Sequence, residues 1–127
     1  MKQAVTGTTP AAPYSPGIVA QGRTLWVSGQ GPLRDGAPVP GTIEQETQLT
    51  LENVAAVLAA GGATVADVVR VGVYLEQLAD FPAMNAVYER FFAARAPGAP
   101  LPARTTVGAA LLGIKVEIDC VAVVPEG

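Results

Sequence analysis

Histidine is absent from this 127-residue chain, and cysteine occurs once, as Cys120. Without histidine there is no Ser-His-Asp triad, no Cys-His pair and no histidine-ligated zinc. One cysteine excludes an intramolecular disulfide and a cysteine metal cage. No metal and no cofactor is therefore expected, and proton transfer falls to Asp, Glu, Lys, Tyr or water. The glycines at 29–36 and 61–62 match neither a dinucleotide nor a P-loop fingerprint and read as turns.

Charge is also scarce. Only 15% of residues are charged, the net charge is −3, and the eight Lys and Arg are scattered. That excludes the concentrated basic footprint of a nucleic-acid binder. No stretch approaches the roughly 20 apolar residues that span a bilayer, so no membrane partner is expected. Met1 to Thr9 are polar and mixed rather than basic-then-apolar, unlike a secretory leader, and the default expectation is a cytoplasmic protein.

What is present is apolar surface. Half the residues are apolar, in a chain with room for one domain, residues 1–127, and one core. A domain this small cannot hide so much apolar surface internally, and a second copy of itself is the usual cover.

Pro10, Pro13, Pro16, Gly17 and Gly22 make the first 22 residues an irregular arm, with room for a short strand within Ile18–Gln21. Arg23–Ser28 reads as a strand ended by Gly29, and 31–41 as a loop. Thr42 and Gln45 have capping-box spacing, and Ile43, Leu51, Val54, Ala55 and Leu58 form the stripe of a helix stopped by Gly61-Gly62. Val68–Leu75 alternates as a strand, with Val69, Val71, Val73 and Leu75 on one face and Val68, Arg70, Gly72 and Tyr74 on the other. Asp80 is the expected N-cap of a second helix with Phe81, Met84, Tyr88 and Phe91 or Phe92 inward. After the Pro97–Pro102 loop come strands over Ala103–Ala109 and Ile114–Val124. In the last, Ile114, Val116, Ile118, Cys120, Ala122 and Val124 oppose Lys115, Glu117, Asp119, Val121 and Val123. The order gives an α+β fold, a single sheet with two helices that cover one face. Arg70, Tyr74, Val121 and Val123 on the other face are too apolar to stay wet, which again points to another subunit.

Two residues carry candidate chemistry. Arg104 begins a strand after the rigid L-P-A segment, where its planar fork suits a carboxylate; a surface Arg or a structural salt bridge is the alternative. Glu117 stands mid-strand, a poor local choice for Glu. A carboxylate held partly out of water is a usable base or acid near neutral pH; a solvated face shared with Lys115 and Asp119 is the alternative. Tyr14 and Asn85 carry weaker signals. Cys120 alternates with core residues and reads as a small buried hydrophobe.

Taken together, A-P-Y-S-P-G (12–17), V-S-G-Q (27–30), Q-x-x-L-x-N-V (48–54), F-x-x-M-N-x-x-Y-x-x-F-F (81–92), P-A-R-T-T-V (102–107) and V-E-I-D-C-V-A-V (116–123) resemble the RidA/YjgF family over about residues 12–124. The resemblance implies a chorismate-mutase-like fold, a mixed sheet with two helices on one face, assembled as a homotrimer with ligand clefts between subunits. It also implies cofactor-independent hydrolysis of reactive enamines and imines of the 2-aminoacrylate and 2-iminopropanoate type to 2-keto acids and ammonia. These substrates arise from pyridoxal-phosphate enzymes that dehydrate serine or threonine. On the matching positions Arg104 would hold the carboxylate with the backbone N–H of Thr106, and Glu117 would activate water. Tyr14 would close the pocket from the adjacent subunit, and Ser28, Gly29 and Asn85 would shape and hydrogen-bond the site.

Imine hydrolysis is already fast in water, so positioning and one carboxylate suffice. Two departures stand out. Thr106 replaces the Cys of many members, and L-L-G-I-K (111–115) replaces the common L-P-x-x-A turn beside the cleft, which bears on substrate preference. The competing readings are a non-catalytic ligand-binding or chaperone-like trimer, and the endoribonuclease activity attributed to some members.

Overall fold

A computed structural model of the chain describes residues 2–126. The central sheet holds β3 (Arg23–Gln30), β8 (Val116–Val124), β6 (Val68–Leu75) and β7 (Ala103–Gly108), in that spatial order. β8 runs antiparallel to both β3 and β6, whereas β6 and β7 are parallel and joined through α2 (Phe81–Arg95). The sheet is thus mixed, and β8, last in the chain, is inserted between the strands that flank α1 (Ile43–Ala60). The two helices pack on each other and on one sheet face, as the apolar patterning requires.

The expected capping box of α1 is present: Thr42 Oγ1 accepts from Gln45 N–H and the Gln45 side chain accepts from Thr42 N–H. Its inward face buries Ile43, Leu51, Val54 and Leu58, with Ala55 half-buried. α2 buries Met84, Val87, Tyr88, Phe91 and Phe92 against the same core. Asp80 does precede α2, but its side chain caps nothing. A short 3-10 turn over Leu78–Asp80 leaves it at φ −80°, ψ −2°, not the extended conformation that aims a side chain at the helix N–H groups.

Three strand expectations change, each where pairing overrides local alternation. First, a bulge between Val68 and Arg70 turns Val68 into the core (1% exposed) and leaves Val69, expected inside, half-buried on the other side. Second, β8 starts at Val116, so Lys115 is outside the strand and its ammonium bonds Glu46 of α1 instead of sharing a face with Glu117. Third, β3 continues past Ser28 to Gln30 through a bulge.

The expected loop 31–41 contains a small hairpin, β4 (Leu33–Arg34) and β5 (Ala37–Pro38). Its two-residue turn, Asp35-Gly36, has positive φ at both positions, the conformation that Asp-Gly tolerates. The N-terminal arm is more ordered than its prolines suggest, because β1 (Lys2–Val5) pairs with β2 (Gly17–Ala20). Lys2 Nζ ties this ribbon to the sheet through Val68 O, at 2.6 Å. Burial lowers the proton affinity of Lys2, and nearby Asp67 opposes that effect.

Candidate functional site

Arg104 pairs with Val71 across β7 and β6, so it shares the helix-covered side of the sheet with the core. Phe81, Asn85 and Tyr88 lie four and three residues apart along α2, one row that descends onto the guanidinium. The Arg104 Cζ is 4.8 Å from the Tyr88 ring centroid, 5.7 Å from Phe81 and 5.9 Å from Tyr14. Its Nη2 donates to Asn85 Oδ1 at 2.7 Å, while Nη1 is buried without a partner. Among the described residues no carboxylate lies within ion-pair distance of Arg104. Burial lowers its proton affinity, and Tyr88 and Tyr14 oppose the shift.

A guanidinium partly stripped of water, faced with π-clouds and left with unused donors, is set up to receive a planar anion. This removes the structural salt bridge as an account of Arg104. Two more buried hydroxyls near it lack partners, Tyr88 Oη and Thr106 Oγ1. Thr106 follows Arg104 by two residues on the same face of an edge strand.

Within the chain, the ring of Tyr14 stands beside Arg104. The arm that carries it is clasped beside β7: Ser15 N–H donates to Pro102 O at 3.1 Å and Ser15 Oγ to Leu101 O at 2.5 Å. An open groove of about 520 Å³ runs along the arm, with Tyr14, Arg70, Arg104 and Thr105 in its lining.

Glu117 lies elsewhere. It pairs with Tyr74, so it projects from the face without helices. Its carboxyl leans over Gly29, where a Cβ would sit 2.9 Å from Glu117 Cδ. The bulge between Val27 and Gln30 puts Ser28 and Gly29 together on that outer, exposed side. Beside Glu117, Tyr74 Oη donates to Asp119 Oδ2 at 2.9 Å, and that bond, with burial, raises the proton affinity of the phenol.

The seven expected site residues therefore form two groups. Tyr14, Asn85, Arg104 and Thr106 lie at the β7–α2 edge. Ser28, Gly29 and Glu117 lie on the bare face. No single chain brings Arg104 and Glu117 together. From sequence alone Phe81 and Tyr88 are core residues; their four- and three-residue spacing with Asn85 is the signal that ties them to the Arg104 site. The Tyr74–Asp119 bond and the grip of Glu46 on Lys115 had no signal, because both join residues distant in sequence. Among the described residues no three His, Cys, Asp or Glu side chains group as metal ligands, and no helix is long and apolar enough to cross a membrane.

Residues 5–124 match the family model described as endoribonuclease L-PSP. A protein of Schizosaccharomyces pombe, named protein mmf2, mitochondrial, is 42% identical over 115 residues, 87% of this chain and 86% of its own. The Escherichia coli 2-iminobutanoate/2-iminopropanoate deaminase is 37% identical over 127 residues, 96% of this chain and 97% of its own. The structure of E. coli TdcF with bound serine superposes with a TM-score of 0.74 at 33% identity, covering 94% of this chain and 92% of that one.

Proposed function

This chain belongs to the endoribonuclease L-PSP family, that of RidA and YjgF, and we propose that it hydrolyses small 2-imino and 2-enamino carboxylic acids to 2-keto acids and ammonia. The observation that carries the reading is Arg104, which is half-buried, ringed by aromatics, and, among the described residues, without an acid partner and with Nη1 unused. Relatives named imine deaminases, and one solved with serine bound, support a small carboxylate-bearing ligand.

In this reading Arg104 binds the carboxylate, Asn85 fixes its fork, Tyr14 closes over it and the Thr106 backbone N–H assists. Glu117 comes from a second copy whose bare face meets this edge, with Ser28 and Gly29 beside it. Its carboxylate orients water against the imine carbon and takes a proton as the C–O bond forms. It returns that proton to nitrogen, giving the carbinolamine, then takes the hydroxyl proton and passes it to the amine, so that the C–N bond breaks as the carbonyl forms and ammonia leaves. Three copies in a ring would make three such sites, since a head-to-tail contact closes by rotation. The family description names an endoribonuclease, but a net charge of −3 with scattered Lys and Arg offers phosphates little.

Keto-acid release from 2-iminopropanoate generated in situ tests the reaction. The parent should accelerate it, and Arg104→Ala and Glu117→Ala should each lose at least about 100-fold. Unfolded and refolded together in equal amounts, the two variants should regain about a quarter of parental activity, because one site in four then has both groups. No acceleration by the parent rejects the deaminase. Inactive mixed oligomers reject the shared site.

A further inference from the structure

Ser28 and Gly29 are exposed and Glu117 is half-buried, yet their backbone is held from behind. Glu46 is buried in the first turns of α1, 3% exposed. Its Oε1 accepts the Lys115 N–H at 2.8 Å, and its Oε2 accepts from Lys115 Nζ at 3.2 Å and Gly41 N–H at 3.3 Å. Asn53 stands seven residues on, two helical turns along the same side of α1. Its Nδ2 donates to both Gly31 O and Leu33 O, each at 2.9 Å.

These bonds grip two different segments. Lys115 is two residues before Glu117, and its carbonyl accepts from Glu76 N–H at 3.1 Å, so its peptide groups are fixed from both sides. Gly31 is two residues after Gly29 and backs onto Ile114, with 3.0 Å from a would-be Cβ to Ile114 Cδ1. The same helix thus sets where β8 begins and where the β3 bulge ends. Those two points determine how the Glu117 carboxyl lies over Gly29. A charged group this buried is poor for stability by itself, even when paired, and a bulge without an anchor can shift register.

We propose that Glu46 and Asn53 are positioning residues that fix Glu117 against Ser28 and Gly29 through the backbone. The inference rests on the deaminase reading for its kinetic test, and a second measurement makes it independent of activity. Glu46→Ala and Asn53→Asp are the informative variants. The first removes the acceptor; the second keeps the shape but not the donor. In each, kcat on 2-iminopropanoate falls by roughly 10–100-fold, whereas the binding constant for pyruvate, held by the separate Arg104 group, stays parental. Glu46→Gln keeps an acceptor for the Lys115 N–H and restores most of kcat.

Parental kcat in Glu46→Ala and Asn53→Asp overturns the proposal, as does loss of pyruvate binding in step with kcat, or Glu46→Gln as impaired as Glu46→Ala. Amide hydrogen exchange needs no catalysis. Exchange in both informative variants quickens over 28–33 and 111–117 and is unchanged over 103–108; uniform quickening, or none, overturns the inference. An inactive parent rejects the deaminase reading alone and leaves exchange to decide this one.

Discussion

At the scale of single residues, chemistry here depends on what each neighbour lacks. Among the described residues Arg104 has no acid within ion-pair distance, and Glu117 lies over Gly29, which has no side chain. Gly29 has no positive φ to explain it; the need is space, since a Cβ would press on the Glu117 carboxyl. Gly29→Ala should therefore cost at least about tenfold in kcat and leave thermal unfolding within a few degrees of the parent, measured by turnover and circular dichroism together. An unchanged kcat would show that Glu117 does not act from over Gly29. Cys120 behaves as its alternation suggested: it is 4% exposed, and burial pushes its thiol up to about 12.

Elements were legible in proportion to how local their causes are. The α1 cap involves residues three apart, and sequence alone identified it. Thr42→Ala should accordingly lower stability by about 1 kcal/mol, or roughly 2–5 °C in Tm for a domain of this size. A smaller change would mean that packing alone holds the helix end. Asp35-Gly36 is an equally local signal for the β4–β5 hairpin, masked by the Gly- and Pro-rich stretch around it. The bulges at 27–30 and 68–70 had no such signal. Each exists because a partner strand fixes a pairing, and one extra residue moves every later side chain to the other face.

For the whole molecule, the apolar excess in the composition reappears as a place. Trp26 is 74% exposed on the bare face, where it pairs with Val121. Covering it stabilises a contact by about 25 cal/mol for each Å² of apolar surface removed from water. If this face meets the Arg104 edge of another copy, Trp26→Arg should give folded monomers by light scattering, with deaminase activity lost. A variant that stays oligomeric would place the contact elsewhere, and an active monomer would end the shared-site reading.

The sequence by itself determined the types of element, the helix-covered and bare faces, the surplus apolar surface, and Arg104 and Glu117 as the residues to watch. These follow from periodicity, composition and motif register, which are properties of short segments. Only the tertiary structure decided that the two residues project from opposite sides of one sheet. Arg104 takes the parity of Val71 and Glu117 the parity of Tyr74. Parity across strands is set by strand order and bulges, through contacts between residues far apart in the chain. That is why a site that reads as one set of residues along the sequence is, in a single folded chain, two halves.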